Sequence, residues 1–146
     1  MLLLLTMMAA APLPLEPFDF AGLDAAIERC DRKLVLPVFA AEAQKRSTFI
    51  TTAYQEQAAI NAERLATAEK RRALREAVVK AAAPSPPKDA AAPAESDQEL
   101  ALRQLALDDR QRALDDARRL ESMRQDAVDM KRAYFLVHCP SGKKAD

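Results

Sequence analysis

The chain has 146 residues, and its 22 Lys and Arg are balanced by 22 Asp and Glu. Formal neutrality argues against nucleic acid as a partner, because that binding depends on an excess of basic side chains. Two glycines and no tryptophan argue against a strand-rich or loop-rich globule, while the abundance of Ala, Leu, Glu, Asp, Arg and Gln is the profile of long helices.

The first fifteen residues, MLLLLTMMAAAPLPL, carry no charge. The apolar run Leu2–Ala11 is shorter than the ~20 residues that cross a bilayer, and its length and small-residue end fit a secretory signal. No Lys or Arg precedes the leucines, and Pro12 follows Ala11 directly; both depart from the usual signal. We read 1–11 as a signal peptide and 12–18 as a leader stiffened by proline, which fixes its own φ and keeps its predecessor out of the helical region. Membrane contact is expected through residues 1–15 only.

A short helix is predicted over 19–35, with Asp19 as N-cap. Phe20, Leu23, Ile27, Cys30 and Leu34 recur every three or four residues and line one face, which puts Cys30 on an apolar stripe. Pro37 is expected to break this helix and open the next. From 38 to 83 no Gly or Pro interrupts the chain, so a second helix of roughly 70 Å is predicted. Its heptad seam reads Phe39, Ala43, Arg46, Ile50, Ala53, Gln57, Ile60, Arg64, Thr67, Arg71, Leu74, Val78. The seam is loose, and its polar members fall mostly in the second half.

Residues 84–95, PSPPKDAAAPAE, read as an exposed loop. A third helix follows over 97–137. Ser96 and Glu99 stand at capping-box spacing, and Asp97 and Glu99 put negative charge where the helix dipole favours it. Asp108–Arg112 and Asp115–Arg119 are i,i+4 pairs in the favourable order. The later seam, Leu120, Met123, Ala127, Met130, Tyr134, Val137, is apolar throughout. Pro140 and Gly142 end the helix, leaving 140–146 as a tail.

Two long helices joined by a short loop most simply lie antiparallel. The expected fold is therefore all-α: an antiparallel, coiled-coil-like two-helix hairpin over 19–139, with the short N-terminal helix packed on its base. Folding about the loop centre sets Cys139 roughly beside Ala40. If the chain turns back at Pro37, Cys30 approaches Cys139, the only other cysteine. An intrachain Cys30–Cys139 disulfide is the expectation in an oxidising compartment; a bond between two copies and two buried thiols are the alternatives. The run Tyr134, Phe135, Leu136, Val137 points all round its helix and calls for neighbours on several sides.

No catalytic, cofactor-binding or metal-ligating set emerges, and no cofactor is expected. His138 beside Cys139 matches no zinc spacing and lacks an orienting third residue for nucleophilic work. His138 suits a helix C-terminus, where the dipole favours positive charge. The stretch Glu69–Glu76, EKRRALRE, reads as a solvated face, with an acidic partner or lipid headgroups as the alternative. Arg64, Arg71 and Asp109 at inner positions suggest faces completed by a partner or a second copy. The expected function is a non-enzymatic, exported helical hairpin of the bacterial envelope, periplasmic, that works by protein binding as an adaptor, assembly factor or chaperone-like clamp. A membrane-tethered spacer with a retained N-terminus and a cytoplasmic coiled-coil hairpin of an export apparatus are the alternatives.

Overall fold

A computed structural model describes residues 17–82 and 95–140. The predicted signal peptide, leader residues 12–16, nearly all of the proline-rich loop (83–94) and tail residues 141–146 lie outside the described residues. Among the described residues there are three helices and no strand: α1 (Phe20–Glu28), α2 (Arg32–Ala81) and α3 (Asp97–His138). The chain divides into two compact units. A terminal unit is formed by Met1–Ala53 with Asp116–Asp146, and a central unit by Tyr54–Asp115. In each unit α2 pairs antiparallel with α3, the hairpin pairing expected.

The helix boundaries near the N-terminus differ from expectation. The Asp19 carboxylate caps α1 by accepting from the Gly22 N–H at 2.8 Å. The helix then stops at Glu28, not at residue 35. The Cys30 N–H donates to the Ile27 carbonyl at 2.8 Å, and the Asp31 N–H donates to the Ala26 carbonyl at 2.9 Å. These two bonds form a Schellman motif, whose left-handed position is usually taken by glycine. Here it is taken by Cys30, with φ of 52°. The next residue starts the second helix: the Asp31 carboxylate accepts from the N–H groups of Lys33 and Leu34, each at 3.2 Å. The break predicted at Pro37 therefore lies at Cys30–Asp31. Pro37 sits inside α2, in its second turn, where its missing N–H forfeits a single helical hydrogen bond.

The core of the terminal unit joins all three helices. Leu23, Ala26 and Ile27 of α1 pack with Val35 and Phe39 of α2 and with Val128, Phe135 and Cys139 of α3. The Phe39 and Phe135 rings meet at 6.1 Å. The Arg32 guanidinium lies 5.4 Å over the Phe135 ring and donates to the Cys139 carbonyl at 2.6 Å. Cys139 thus stands beside Arg32, not Ala40, because α2 begins six residues before the position that Pro37 suggested. Cys30 and Cys139 form a disulfide within the chain, with Cα atoms 5.4 Å apart across 109 positions. Cys30 itself is exposed, and so is Leu34; the predicted apolar stripe ends at Ile27. In the run 134–137 only Phe135 is buried, while Tyr134, Leu136 and Val137 are more than half exposed. The expectation that all four find neighbours is not met, since α1 and α2 cover one side of α3 and leave the others open.

The central unit is built on Ile60 and Thr67 of α2 and on Leu100, Leu107 and Leu114 of α3, each almost fully buried. The seven-residue steps within each set keep one seam facing the partner helix. Buried Thr67 satisfies its hydroxyl by donating to the Glu63 carbonyl at 2.8 Å. Polar side chains flank the seam. Arg110 bridges Glu56 and Glu63 at 2.9 and 2.7 Å, and the amides of Gln57 and Gln111 exchange hydrogen bonds at 2.8 and 3.1 Å. Asp108 pairs across the helices with Arg64 at 2.8 Å. It does not pair with Arg112 as predicted, and Arg112 turns to Asp109 instead. Arg64 is thus balanced inside the chain, and Asp109 faces solvent.

The capping box at the start of α3 is formed. The Ser96 N–H donates to the Glu99 carboxylate at 2.7 Å, and the Glu99 N–H donates to the Ser96 hydroxyl at 3.2 Å. The Ser96 N–H, and the Ser96 hydroxyl donating to the same carboxylate at 2.9 Å, hold the Glu99 carboxyl below its usual value, the backbone donor being the larger cause. Replacing Ser96 by Ala is expected to cost about 1 kcal/mol, as for other N-caps. Urea denaturation followed by circular dichroism measures it; an unchanged midpoint refutes the cap.

Candidate functional site

Helix α3 carries two seams in the terminal unit, and the fold uses the more polar one. Ala117, Glu121, Arg124, Val128, Lys131 and Phe135 step by four and three residues and face α1 and α2. The predicted apolar seam is displaced around the helix from this set. Leu120, Met123, Met130, Tyr134 and Val137 are 53–74% exposed, and no helix of the described chain covers them. The reason lies on the facing helices. Glu42 of α2 is buried and pairs with Arg124, and Asp24 of α1 pairs with Lys131. These charges match the polar seam and have no counterpart on the apolar one.

Helix α2 shows a similar displacement. Phe39 and Ala53 of the predicted seam are buried, together with Val35, Glu42 and Phe49, whereas Ala43, Arg46 and Ile50 of that seam are exposed. Arg46 reaches Asp129 at 3.8 Å. Leu36, Ala40, Ala43, Ser47 and Ile50 form a second exposed row with helical spacing, smaller in its middle than the α3 row. In the central unit the predicted positions Ile60 and Thr67 are buried, Gln57, Arg64, Arg71 and Leu74 are half-buried, and Val78 is exposed, so the seam is legible there up to Leu74.

Electrostatics confine the polar seam of the terminal unit. Burial pushes the Glu121 carboxyl up, but hydrogen bonds from Arg124 and Gln125 and the charges of Arg124 and Arg46 outweigh it, and the group is held below its ordinary 4.5. Arg124 is raised, chiefly by its bond to Glu121. A carboxyl whose folded value is depressed contributes stability above its unfolded value and loses it as pH falls through the folded value. Acidification below about pH 4.5 is therefore expected to destabilise the wild type more than Glu121→Gln. Chemical denaturation of both proteins from pH 6 to pH 3 checks this; parallel profiles contradict it.

Cys30 and Cys139, the predicted pair, are brought together as a structural bond, which leaves neither sulfur a thiolate. His138 is exposed; its Nδ1 lies 3.0 Å from the Tyr134 carbonyl, and its ring stacks on Tyr134 at 3.9 Å. No group of three or more His, Cys, Asp or Glu side chains among the described residues is placed to hold a metal ion. No described helix is long and apolar enough to cross a membrane. An open groove between α1 and the start of α2 is lined by Phe18, Leu23, Leu34, Val38 and Ala41, with Asp19, Glu42 and Lys45 among its polar members. It has apolar walls and no convergent set of reactive groups. In the stretch 69–76, Lys70 is drawn to Glu95 at 2.8 Å, and Arg72 and Arg75 are exposed.

The surface with most to offer a partner is thus the pair of apolar rows on α2 and α3 in the terminal unit. Sequence reasoning found the α3 row but assigned it to the interior. The signal that separates the two seams is the set of acidic residues on the facing helices, Asp24 and Glu42. No protein-family model matches this chain, no curated protein matches it, and no solved structure matches it.

Proposed function

We propose that this chain is a non-enzymatic helical-hairpin protein of an oxidising, exported compartment that acts by binding other proteins, as an adaptor, assembly factor or chaperone-like clamp. The observation that carries the reading is the exposed apolar row of α3, with five large side chains more than half in water on a helix whose other seam is already filled. Contiguous exposed apolar surface of this kind is costly to keep in water and marks an interaction face. The α2 row from Leu36 to Ile50 offers a second face of the same character. The Cys30–Cys139 bond supports the compartment, because the cytosol keeps such thiols reduced. The membership of the bacterial envelope belongs to the same proposal.

The test places a photo-activated crosslinking residue at Ile50 or Met130 in living cells. Thiols are alkylated at the moment of lysis. The reading expects a defined protein adduct at these positions that is lost when a neighbour on the same row is charged, Ala43→Lys for the label at Ile50 and Met123→Lys for the label at Met130, together with cysteines protected from alkylation. Alkylated cysteines and the absence of adducts at both rows would overturn it.

A further inference from the structure

The α3 row has a spacing that names its own occupant. Leu120, Met123, Ala127, Met130, Tyr134 and Val137 alternate steps of three and four, the repeat by which one helix packs its knobs into the holes of another. They run for about 26 Å along the helix. We infer that a second copy of this chain covers the row, with the two α3 helices antiparallel and the twofold axis passing between Val128 and Asp129. This deepens the protein-binding reading and rests on it.

Volume favours this arrangement. In an antiparallel pair centred there, Leu120 faces Val137 of the second copy, Met123 faces Tyr134, and Ala127 faces Met130, with each layer repeated by symmetry. The smallest side chain is filled by a long flexible one, as close packing requires. A parallel pair would set Ala127 against Ala127 and Tyr134 against Tyr134, leaving a gap and a clash in adjacent layers. Area is also sufficient. The five large side chains each leave on the order of 100 Å² in water, so two rows laid together bury about 1,000 Å², the threshold of a specific interface.

Charge does not oppose the pairing. The chain has a formal net charge of zero, so copies feel no long-range repulsion. Arg124 and Lys131 flank the row, and the antiparallel arrangement brings Arg124 of one copy near Lys131 of the other. Both are already neutralised within their own chain, Arg124 by Glu42 and Glu121, and Lys131 by Asp24. The polar seam thus makes the apolar seam usable. With both cysteines joined inside each chain, the pair is held without a covalent link.

Sedimentation of the oxidised full chain across a concentration series tests the proposal. A dimer is expected, and Met130→Lys raises its dissociation midpoint by about 100-fold, the effect of burying a charge in a small apolar seam. At concentrations where both proteins are monomeric, the helical circular dichroism and thermal midpoint of the variant match the wild type, because Met130 is exposed within one copy. A photo-crosslinker at Tyr134 fixes the orientation: peptides joined around Met123 of the second copy support it, and peptides joined around Tyr134 overturn the antiparallel pairing. A chain that stays monomeric at high concentration overturns self-pairing. If the Tyr134 crosslinker in cells then captures a different protein, the binding reading survives; if neither row captures anything, both readings fall.

Discussion

Reduction of the Cys30–Cys139 bond is expected to lower the stability of the chain by about 4.7 kcal/mol, the loop-closure value for a ring of roughly 100 residues. The bond closes 109 positions, so the unfolded chain gains a large amount of freedom when it opens. Substitutions at Cys30 separate this covalent effect from a local one. Cys30 stands at φ 52° in the position that ends α1, and a residue with a Cβ costs roughly 1 kcal/mol there relative to glycine. Cys30→Ser loses the bond and keeps the unfavourable backbone. Cys30→Gly loses the bond and relieves the backbone, and should be more stable than Cys30→Ser by about 1 kcal/mol. Urea denaturation of the wild type with and without reductant, and of both variants, measures each step. Coincident curves for oxidised and reduced wild type would sink the first claim, and equal midpoints for the two variants the second.

Truncation of Phe135 is the point substitution expected to do most damage. Its side chain is fully buried, packed against Phe39 and covered by the Arg32 guanidinium. Phe135→Ala is expected to cost about 3–5 kcal/mol through lost burial and the cavity left behind. The same truncation one and two residues later gives the contrast. Leu136 and Val137 are mostly exposed, so Leu136→Ala and Val137→Ala should stay within about 0.5 kcal/mol under conditions where the chain is monomeric. Thermal unfolding of the three variants at low concentration decides the matter. A large loss at Val137 would mean that the run is enclosed within one chain after all.

These two residues also show how far the sequence could be read. The helical class, the antiparallel pairing and the capping box at Ser96 follow from local signals: missing glycines, spacing, and a serine three places before a glutamate. The Cys30–Cys139 pairing also follows from the sequence, though the turn that brings the two together is not where proline points. Proline is the strongest punctuation in that stretch, and it points to Pro37 as the pivot. The real pivot is Cys30–Asp31, where a left-handed cysteine carries out a glycine's role and Asp31 caps the next helix. Nothing in the identity of a cysteine announces a positive φ. The aspartate signal was present, an N-cap with two backbone N–H groups to receive, and it outweighs a proline placed where a helix tolerates it.

The seams tell a complementary story. In the central unit Ile60 and Thr67 of the predicted α2 seam are inside, facing Leu100, Leu107 and Leu114 of α3. In the terminal unit α3 offers two sets at the same spacing, and hydrophobicity alone picks Leu120, Met123 and Tyr134. The fold picks Val128 and Phe135 with Arg124 and Lys131 beside them, because Glu42 and Asp24 arrive from other helices to neutralise those cations. A long-range charge match of that kind is invisible to a reading taken along one helix.

One consequence of the sulfur bridge concerns the chain as a covalent object. From Cys30 to Cys139 the polypeptide is a closed macrocycle. A protease that cuts any single peptide bond inside it, for instance after Lys88, opens the ring without releasing a fragment. The nicked molecule stays one covalent piece, heavier by one water, until a reductant separates it into two. A protein built this way is buffered against a single scission, since the sulfur bridge keeps both long helices in one covalent molecule.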